Sequence, residues 1–169
     1  NEGETTIATV SASDADGDVV SYNRTSDGDS SLFTIDSTTG ALSFTTSPDY
    51  EAPGDSDADN TYAVTVTATD GFNTSEQVIS VTVANINDNS PTFTSSGSLS
   101  VNENQTAIIT VEATDADGDT VSYSLSGTDT DALTINSSSG VLTFNTAPDY
   151  ETKSSYSAVV TASDETNAS

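Results

Sequence analysis

The stretch Thr61-Tyr62-Ala63-Val64-Thr65-Val66-Thr67-Ala68 decides the fold class of this 169-residue chain. Apolar and polar side chains alternate along it, so one face collects its larger apolar residues: Tyr62, Val64, Val66 and Ala68. A period of two residues is the pattern of a β-strand with one buried face. The segment Val78–Val83 alternates in the same way. These two segments predict the longest strands of an antiparallel sheet.

Shorter segments of the same kind precede them. We expect further strands around Ile7–Ala12, Val19–Tyr22, Leu32–Ile35 and Ala41–Phe44. Turn-forming residues separate these segments, as in Thr38-Thr39-Gly40. No stretch has a convincing helical period. Six or seven short strands in fewer than 90 residues, apolar on one face and rich in Ser and Thr on the other, predict an all-β sandwich.

The chain contains this pattern twice. Asp14-Ala15-Asp16-Gly17-Asp18 returns as Asp115–Asp119, and Pro48-Asp49-Tyr50-Glu51 returns as Pro148–Glu151, after 101 and 100 residues. A repeat of this length is a whole domain and not a solenoid unit. We therefore predict two tandem domains, at 1–88 and 89–169, joined by a linker at about 84–91. The second is expected to be truncated at its C-terminus, because nothing after Asn167 matches Ser75–Ala84.

Composition restricts the function classes. The chain has 27 acidic and 2 basic residues, a formal net charge of −25, and neither Cys nor His. The usual ligands of zinc, copper and iron and the commonest nucleophile–base pairs are therefore missing. Any metal must be held by oxygen, which favours Ca²⁺ or Mg²⁺. The lack of basic surface argues against nucleic acid and anionic membranes as partners, and no apolar run is long enough to insert into a membrane.

Several motifs are rich in oxygen ligands. The segment Asn85-Ile86-Asn87-Asp88-Asn89 lies between the two repeats. Asp49 and Glu51 are two residues apart, so on an extended chain their carboxylates lie on the same side and can share a cation. The Asp115–Asp119 motif is similar to the start of an EF-hand loop, but the required Glu at the twelfth position is Ser126. An EF-hand is therefore excluded, which leaves a turn between strands or a different metal site.

One acidic segment has no counterpart in the second repeat. Residues Ala52–Asn60 occupy the gap that Thr152–Ser155 fills in the second repeat. The segment is polar and acidic, which predicts a flexible loop. A separate metal site within it is the less favoured alternative.

The order of these motifs resembles the cadherin repeat over nearly the whole chain. The resemblance rests on Val111-x-Ala113-x-Asp115-x-Asp117, on Asp49-Tyr50-Glu51 where cadherins carry Asp-Arg-Glu, and on Asn85-Ile86-Asn87-Asp88-Asn89-x-Pro91-x-Phe93. The compact Asp-Ala-Asp-Gly-Asp loops are most similar to bacterial cadherin-like domains of large surface adhesins. The resemblance implies two tandem Greek-key β-sandwich domains of the cadherin and immunoglobulin-like type.

The resemblance also implies a set of Ca²⁺ ligands at the joint between the domains. They are Glu2, Asp49 and Glu51 from the first domain, Asn85, Ile86, Asn87, Asp88 and Asn89 from the joint, and Asp115, Asp117 and Asp164 from the second. The family binds three Ca²⁺ at each joint, and we expect two to three here, because Asn85 replaces the first Asp of the family motif. Asp119 or water is a substitute for a backbone ligand of a longer family loop. The seven carboxylates of the set nearly balance the charge of three ions.

Weaker half-sites are implied at the two outer ends. Asp14, Asp16 and Asp70 would face a preceding domain, and Glu103, Asp149 and Glu151 would face a following one. The chain starts at Asn1 and stops in mid-pattern, so we expect it to be a piece of a larger protein.

The expected function is calcium-dependent adhesion. Ca²⁺ would stiffen the joint of an extracellular or cell-surface protein that is membrane-anchored or secreted, and the partner would be another copy of the chain. The alternatives are a carbohydrate-binding module that contacts a surface polysaccharide, and a passive spacer of a large adhesin. The carboxylate pairs recur where the repeat places them, and no phosphate loop or nucleophile elbow is present, so the chain is not expected to be an enzyme.

Overall fold

Alternating β-branched residues form short antiparallel strands in the computed structural model, which describes residues 1–167. The chain divides into two compact units, Asn1–Ile86 and Asn87–Ser169. This division lies inside the predicted linker, while the exact domain boundaries remain a prediction. The all-β prediction is confirmed: apart from two single 3₁₀ turns at Ser30–Leu32 and Thr130–Ala132, regular structure in the described residues consists of strands.

The first unit has six strands in two sheets. They are β1 (Thr6–Thr9), β2 (Ser21–Arg24), β3 (Phe33–Ile35), β4 (Ala41–Phe44), β5 (Thr61–Thr69) and β6 (Thr74–Thr82). One sheet has the order β1-β4-β3 and the other the order β2-β5-β6, and all pairs are antiparallel. The long hairpin of β5 and β6 pairs nine residues on each strand, from Thr61 opposite Thr82 to Thr69 opposite Thr74.

The two sheets of the first unit enclose one apolar core. Its buried members come from both sheets and the segment after β6: Phe33, Leu42, Phe44, Tyr62, Val64, Val66 and Val83. The ring of Phe44 stacks on Phe33 at 4.9 Å and meets the edge of Tyr62 at 5.1 Å, so aromatic contacts join the sheets. The predicted apolar face of Thr61–Ala68 is therefore the face that builds this core.

The second unit repeats the architecture. Its strands are β7 (Thr92–Phe93), β8 (Ala107–Thr110), β9 (Ala113–Thr114), β10 (Ser122–Ser126), β11 (Leu133–Ile135), β12 (Val141–Phe144) and β13 (Val159–Ser163). Strand β13, the counterpart of β5, is shorter. The sheets are β11-β12-β8, β10-β13 and the pair β7-β9. Within residues 87–167, no strand corresponds to β6, and a cavity of about 680 Å³ opens beside the core, with Phe93, Leu133 and Phe144 in its wall.

The same turn positions both repeats. Gly40 and Gly140 have φ angles of +71° and +69°, which glycine adopts without strain. A Cβ at Gly40 would lie 2.2 Å from the carbonyl oxygen of Val10, so two backbone segments meet there without room for a side chain. The predicted turn at Thr38-Thr39-Gly40 is thus a contact point between segments as well as a chain reversal.

One predicted strand is displaced. We expected a strand at Val19–Tyr22, but β2 begins at Ser21 and the Val19 side chain is 88% exposed. The Asp14 carboxylate accepts hydrogen bonds from the backbone N–H groups of Asp16 and Asp18, which extends the acidic turn toward Val19. Local capping by Asp therefore delays the start of the strand.

Candidate metal centre

A buried carboxylate lies at the start of the first unit. Glu2 is only 4% exposed, although it is the second residue of the chain. Its Oε2 accepts the backbone N–H of Tyr50 at 2.8 Å, and its Oε1 accepts that of Ile86 at 2.7 Å. The Glu2 backbone N–H also donates to the carbonyl of Ala84. Glu2 therefore ties the Pro-Asp-Tyr-Glu turn to the segment that leads out of the unit.

On an extended chain, Asp49 and Glu51 were expected to lie on the same side and share a cation. In the Pro-Asp-Tyr-Glu turn, the two carboxylates instead have different neighbours. Asp49 turns back and accepts the N–H groups of Glu51 and Ala52, each at 3.1 Å. Glu51 and Glu2 have carboxylate oxygens within 4.8 Å of each other. Two carboxylates this close repel unless a cation lies between them or one is protonated. The first unit thus offers Glu2 and Glu51 as a pair, with Asp49 bracing the turn.

In the second unit, Asp117 holds the backbone of the linker. Its Oδ2 accepts the N–H groups of Asp88 at 3.1 Å and Asn89 at 2.8 Å, and its Oδ1 accepts the Asn89 amide at 3.0 Å. The Asn89 amide also donates to the Asp88 carboxylate at 2.8 Å. Asp88 and Asp117 have carboxylate oxygens within 4.8 Å of each other. Three predicted ligands are therefore neighbours in this unit.

In the Asp-Ala-Asp-Gly-Asp loop of the second unit, one carboxylate oxygen of Asp115 accepts no hydrogen bond. Asp115 Oδ1 accepts the N–H groups of Asp117 at 3.0 Å and Asp119 at 3.3 Å. Asp115 Oδ2 is buried and has no hydrogen-bond partner. The three aspartates have ligand oxygens within 4.8 Å of one another. A buried acceptor without a donor is costly, and a bound cation would remove that cost, so these residues fit a hard divalent ion.

Asp164 sits at the end of the second unit with a partner that the sequence interpretation missed. Asp164 is 5% exposed, and its Oδ1 accepts the N–H groups of Thr166 and Asn167. These bonds, led by that of Asn167, lower the pKa of Asp164 and keep it ionised. The Asn167 amide nitrogen donates to Asn87 Oδ1 at 2.6 Å and to the Asn89 carbonyl at 3.0 Å. Asn167 therefore draws together oxygens that the resemblance assigns to Ca²⁺.

A repeated spacing could have revealed Asn167. Asp70 and Asn73 are separated by the same interval, and Asp70 Oδ1 accepts the N–H groups of Phe72 and Asn73. The bond from Asn73 is the main cause of the lowered pKa of Asp70. The pattern Asp-x-x-Asn thus occurs at the same turn of both repeats.

The remaining predicted ligands are placed as follows. Asn85 and Ile86 are exposed, and Asn87 is partly buried. Of the outer half-sites, Glu103, Asp149 and Glu151 have ligand oxygens within 4.8 Å of one another. Among the described residues, Asp14, Asp16 and Asp70 do not form such a group. The proposed metal ligands are thus partly assembled within each unit, and their role stays a prediction.

Comparison with known proteins identifies the family. The family model for the cadherin domain matches residues 1–87 and 97–169. The chain belongs to the cadherin family. Cadherin domains are extracellular and non-enzymatic, they generally bind Ca²⁺, and they typically serve calcium-dependent adhesion. The resemblance drawn from the sequence motifs is therefore confirmed.

Three solved structures of animal proteins have the same fold. Domains EC1-2 of human protocadherin-24 match with a TM-score of 0.76 and 25% identity, over 93% of this chain and 76% of that one. Domains EC22-24 of mouse cadherin-23 match with a TM-score of 0.71 and 28% identity, over 95% and 53%. Domains EC1-4 of Drosophila N-cadherin share the fold at 22% identity and a TM-score of 0.75, over 100% and 43%.

No curated protein matches the chain. Among the described residues, no helix is long and apolar enough to cross a membrane.

Proposed function

We propose that this chain is a calcium-binding pair of cadherin domains in which Ca²⁺ at the linker restricts the motion of one domain against the other. The observation that carries this proposal concerns the linker backbone. Glu2 of the first unit accepts the N–H of Ile86, and Asp117 of the second accepts those of Asp88 and Asn89. Only Asn87 lies between these segments in the sequence. Each unit thus directs a carboxylate at the backbone of its own part of the linker.

The proposed ligands are the set that the family pattern implies. Two to three Ca²⁺ ions are held by side chains or carbonyls of Glu2, Asp49, Glu51, Asn85, Ile86, Asn87, Asp88, Asn89, Asp115, Asp117 and Asp164. Asn167 is added as the residue that orients Asn87 and Asn89. Ca²⁺ takes six to eight oxygen ligands, so water completes the shells.

Charge supports an ion at this place. The whole chain has only two basic side chains. Lys153 pairs with Asp129, and Arg24 donates to the carbonyl of Thr25, so both cations have partners of their own. A ligand that binds only the folded protein stabilises it by about 3–4 kcal/mol at 100 to 1,000 times its dissociation constant. Ca²⁺ would therefore stabilise the chain while it orders the linker.

The proposed biological role is adhesion on the outside of a cell. A chain with a net charge of −25 suits a medium in which divalent cations are plentiful. The compact acidic loops support a bacterial surface adhesin as the parent protein, and self-association through the ordered pair is the proposed mode of adhesion. A polysaccharide partner and a passive spacer are the competing outcomes of the test.

The calcium step is tested with the full chain in Ca²⁺ and in EDTA. We expect a higher melting temperature and, by small-angle X-ray scattering, a narrower range of interdomain distances when Ca²⁺ is present. Asp117→Asn should weaken both effects, because it removes a charge and disturbs the bonds to Asp88 and Asn89. Glu76→Gln removes a charge from an exposed position on β6 and serves as the matched control. Equal responses of the two variants would contradict the ligand assignment.

The adhesive step needs a different measurement. Sedimentation should show Ca²⁺-dependent dimers if the chain associates with itself. Binding to a glycan array without dimers would replace self-association by a carbohydrate partner. If neither dimers nor glycan binding is observed, the remaining interpretation is a spacer whose only property is calcium-dependent stiffness.

A further inference from the structure

The acidic loop 52–60 occurs only in the first unit. It was expected to be flexible, but hydrogen bonds attach it to the rest of the unit. The backbone N–H of Gly54 donates to the Tyr62 hydroxyl at 3.1 Å, and that of Ser56 donates to the Asp29 carboxylate at 3.0 Å. At the far end, the Asn60 amide donates to the carbonyl of Tyr50 at 2.9 Å. The loop is therefore attached to the body of the unit along its length.

These attachments bring three carboxylates together. Asp55, Asp57 and Asp59 have ligand oxygens within 4.8 Å of one another. The sequence alternates Asp with a second residue, so all three side chains come from a stretch of five residues.

Asp55 supplies the observation that points to a ligand. The residue is only 8% exposed, and its Oδ2 accepts the N–H of Asp59 at 2.9 Å. Its Oδ1 is buried and has no hydrogen-bond partner, and the carboxylate has an oxygen within 4.8 Å of oxygens of Asp57 and Asp59. Burial of a carboxylate oxygen without a donor or a cation is unfavourable. The two neighbouring carboxylates increase that cost.

Asn60 adds a second buried acceptor at the end of the loop. It is also 8% exposed, and its Oδ1 has no hydrogen-bond partner. The bond from its amide nitrogen to Tyr50 fixes the orientation of the side chain. Asp55 and Asn60, which lie five residues apart in one loop, thus each keep a buried oxygen without a donor, which is uncommon in folded proteins.

The second unit shows how the same place is built around a positive charge. Asp29 accepts the N–H groups of Ser56 and Ala63, whereas its counterpart Asp129 accepts the Lys153 ammonium and the N–H of Ser157. Lys153 belongs to the short segment that replaces the acidic loop. The unit without the three carboxylates therefore has a lysine there, and the unit with them has no basic side chain in the loop.

We propose that residues 55–60 form a separate Ca²⁺ site of the first domain, with Asp55, Asp57 and Asp59 as ligands. Asn60 Oδ1 is a further buried oxygen of the same loop without a hydrogen-bond partner, and water fills the remaining positions of a six- to eight-oxygen shell. The site lies in a loop that is absent from the second repeat, so it does not depend on the linker. Its effect would be to neutralise the buried Asp55 and order the segment between Gly54 and Asn60.

The test counts Ca²⁺ bound to the full chain by equilibrium dialysis. Free Ca²⁺ should range from about 0.1 µM to about 10 mM, which covers sensor and extracellular affinities. Asp57→Asn and a loop exchange that replaces residues 52–60 by Thr-Lys-Ser-Ser should each lower the bound Ca²⁺ by one ion per chain. Glu76→Gln should leave the count unchanged. Circular dichroism should show that each variant remains folded.

A second background separates this site from the linker sites. In a chain that carries Asp117→Asn, Asp57→Asn should still remove one further ion. Loss of that ion in both backgrounds supports the loop site whether or not the linker binds Ca²⁺. An unchanged count in folded Asp57→Asn and loop-exchange variants would overturn the proposal, and it would leave the linker sites unaffected.

Discussion

Glu2 and Ile86 are separated by 84 residues and joined by a 2.7 Å hydrogen bond from the Ile86 N–H to Glu2 Oε1. The other Glu2 oxygen accepts the N–H of Tyr50. Both oxygens of a nearly buried carboxylate are therefore occupied before any ion is considered. This bond holds the exit of the first unit in place and makes Glu2 a structural residue as well as a proposed ligand.

Glu2→Gln should destabilise the first unit even in EDTA. The glutamine keeps the shape but presents an NH₂ group to one of two backbone N–H donors, so one buried bond is lost. We expect a loss of about 1–3 kcal/mol in the free energy of unfolding, measured by urea denaturation. Glu103→Gln is the matched control, because Glu103 is exposed and accepts the Tyr150 N–H. Equal losses in the two variants would show that burial of Glu2 contributes nothing.

Gly40→Ala should be more damaging than Gly71→Ala. Both glycines have positive φ angles, so alanine strains the backbone by about 1–2 kcal/mol at either position. Only at Gly40 does the added Cβ also lie 2.2 Å from the Val10 carbonyl oxygen, whereas at Gly71 nothing lies within 4 Å. We expect a total loss of about 3 kcal/mol or more at Gly40, measured by thermal unfolding. Similar melting temperatures for the two variants would refute the close contact.

The turn after β3 should respond to acid in the first unit and not in the second. Asp36 accepts the N–H groups of Thr38 and Thr39, and these bonds, led by that of Thr39, lower the pKa of Asp36 from 3.8. Because the pKa is lower in the folded state, ionised Asp36 stabilises the fold at pH values above the pKa of the unfolded state. This stabilisation is lost as the pH falls through the pKa of the folded state. Asn136 caps the corresponding turn without a charge.

Reciprocal variants measure this difference. In EDTA, Asp36→Asn should reduce the loss of stability as the pH falls below the ordinary Asp pKa of about 3.9 toward the lower pKa that Asp36 has in the folded state. Asn136→Asp should increase the same loss in the second unit. The readout is the urea midpoint at each pH relative to the unmodified chain, so that protonation of the other carboxylates cancels. A parallel pH dependence in all three proteins would contradict the assignment.

Addition of a strand should stabilise the second unit. Asn167 corresponds to Asn73, so the segment Glu76–Ala84 appended after Ser169 would continue the repeat in register. It would pair with β13 as β6 pairs with β5, and we expect it to cover the cavity beside Phe144. We expect a rise of at least about 4–8 °C in melting temperature, equivalent to about 1 kcal/mol for a domain of this size.

A polar version of the added strand provides the control. Replacement of its copies of Ile79, Val81 and Val83 by serine keeps the backbone and the length but removes the apolar face. This version should give a smaller rise. The same rise from both versions would mean that the apolar cavity does not contribute to the effect.

The repeat units and most strands were predictable, because alternation at Thr61–Ala68 and turn residues such as Gly40 act over a few neighbouring positions. The prediction that a strand begins at Val19 was wrong, because the hydrogen bonds that Asp14 accepts from the backbone extend the preceding turn. The part played by Asn167 was missed, because its partners Asn87 and Asn89 are about 80 residues away in the chain. Distant partners are not visible in a local pattern.

The sequence by itself determined an all-β tandem repeat and an inventory of oxygen ligands without His or Cys, because periodicity and composition are properties of the chain alone. Which of those oxygens accept backbone N–H groups, and which are buried without a hydrogen-bond donor, depends on the folded structure. Glu2 has both of its oxygens occupied, whereas Asp55 and Asp115 each keep one buried oxygen without a donor. That distinction depends on which segments the packed sheets bring together, since a buried acceptor is satisfied only by a donor within hydrogen-bond distance.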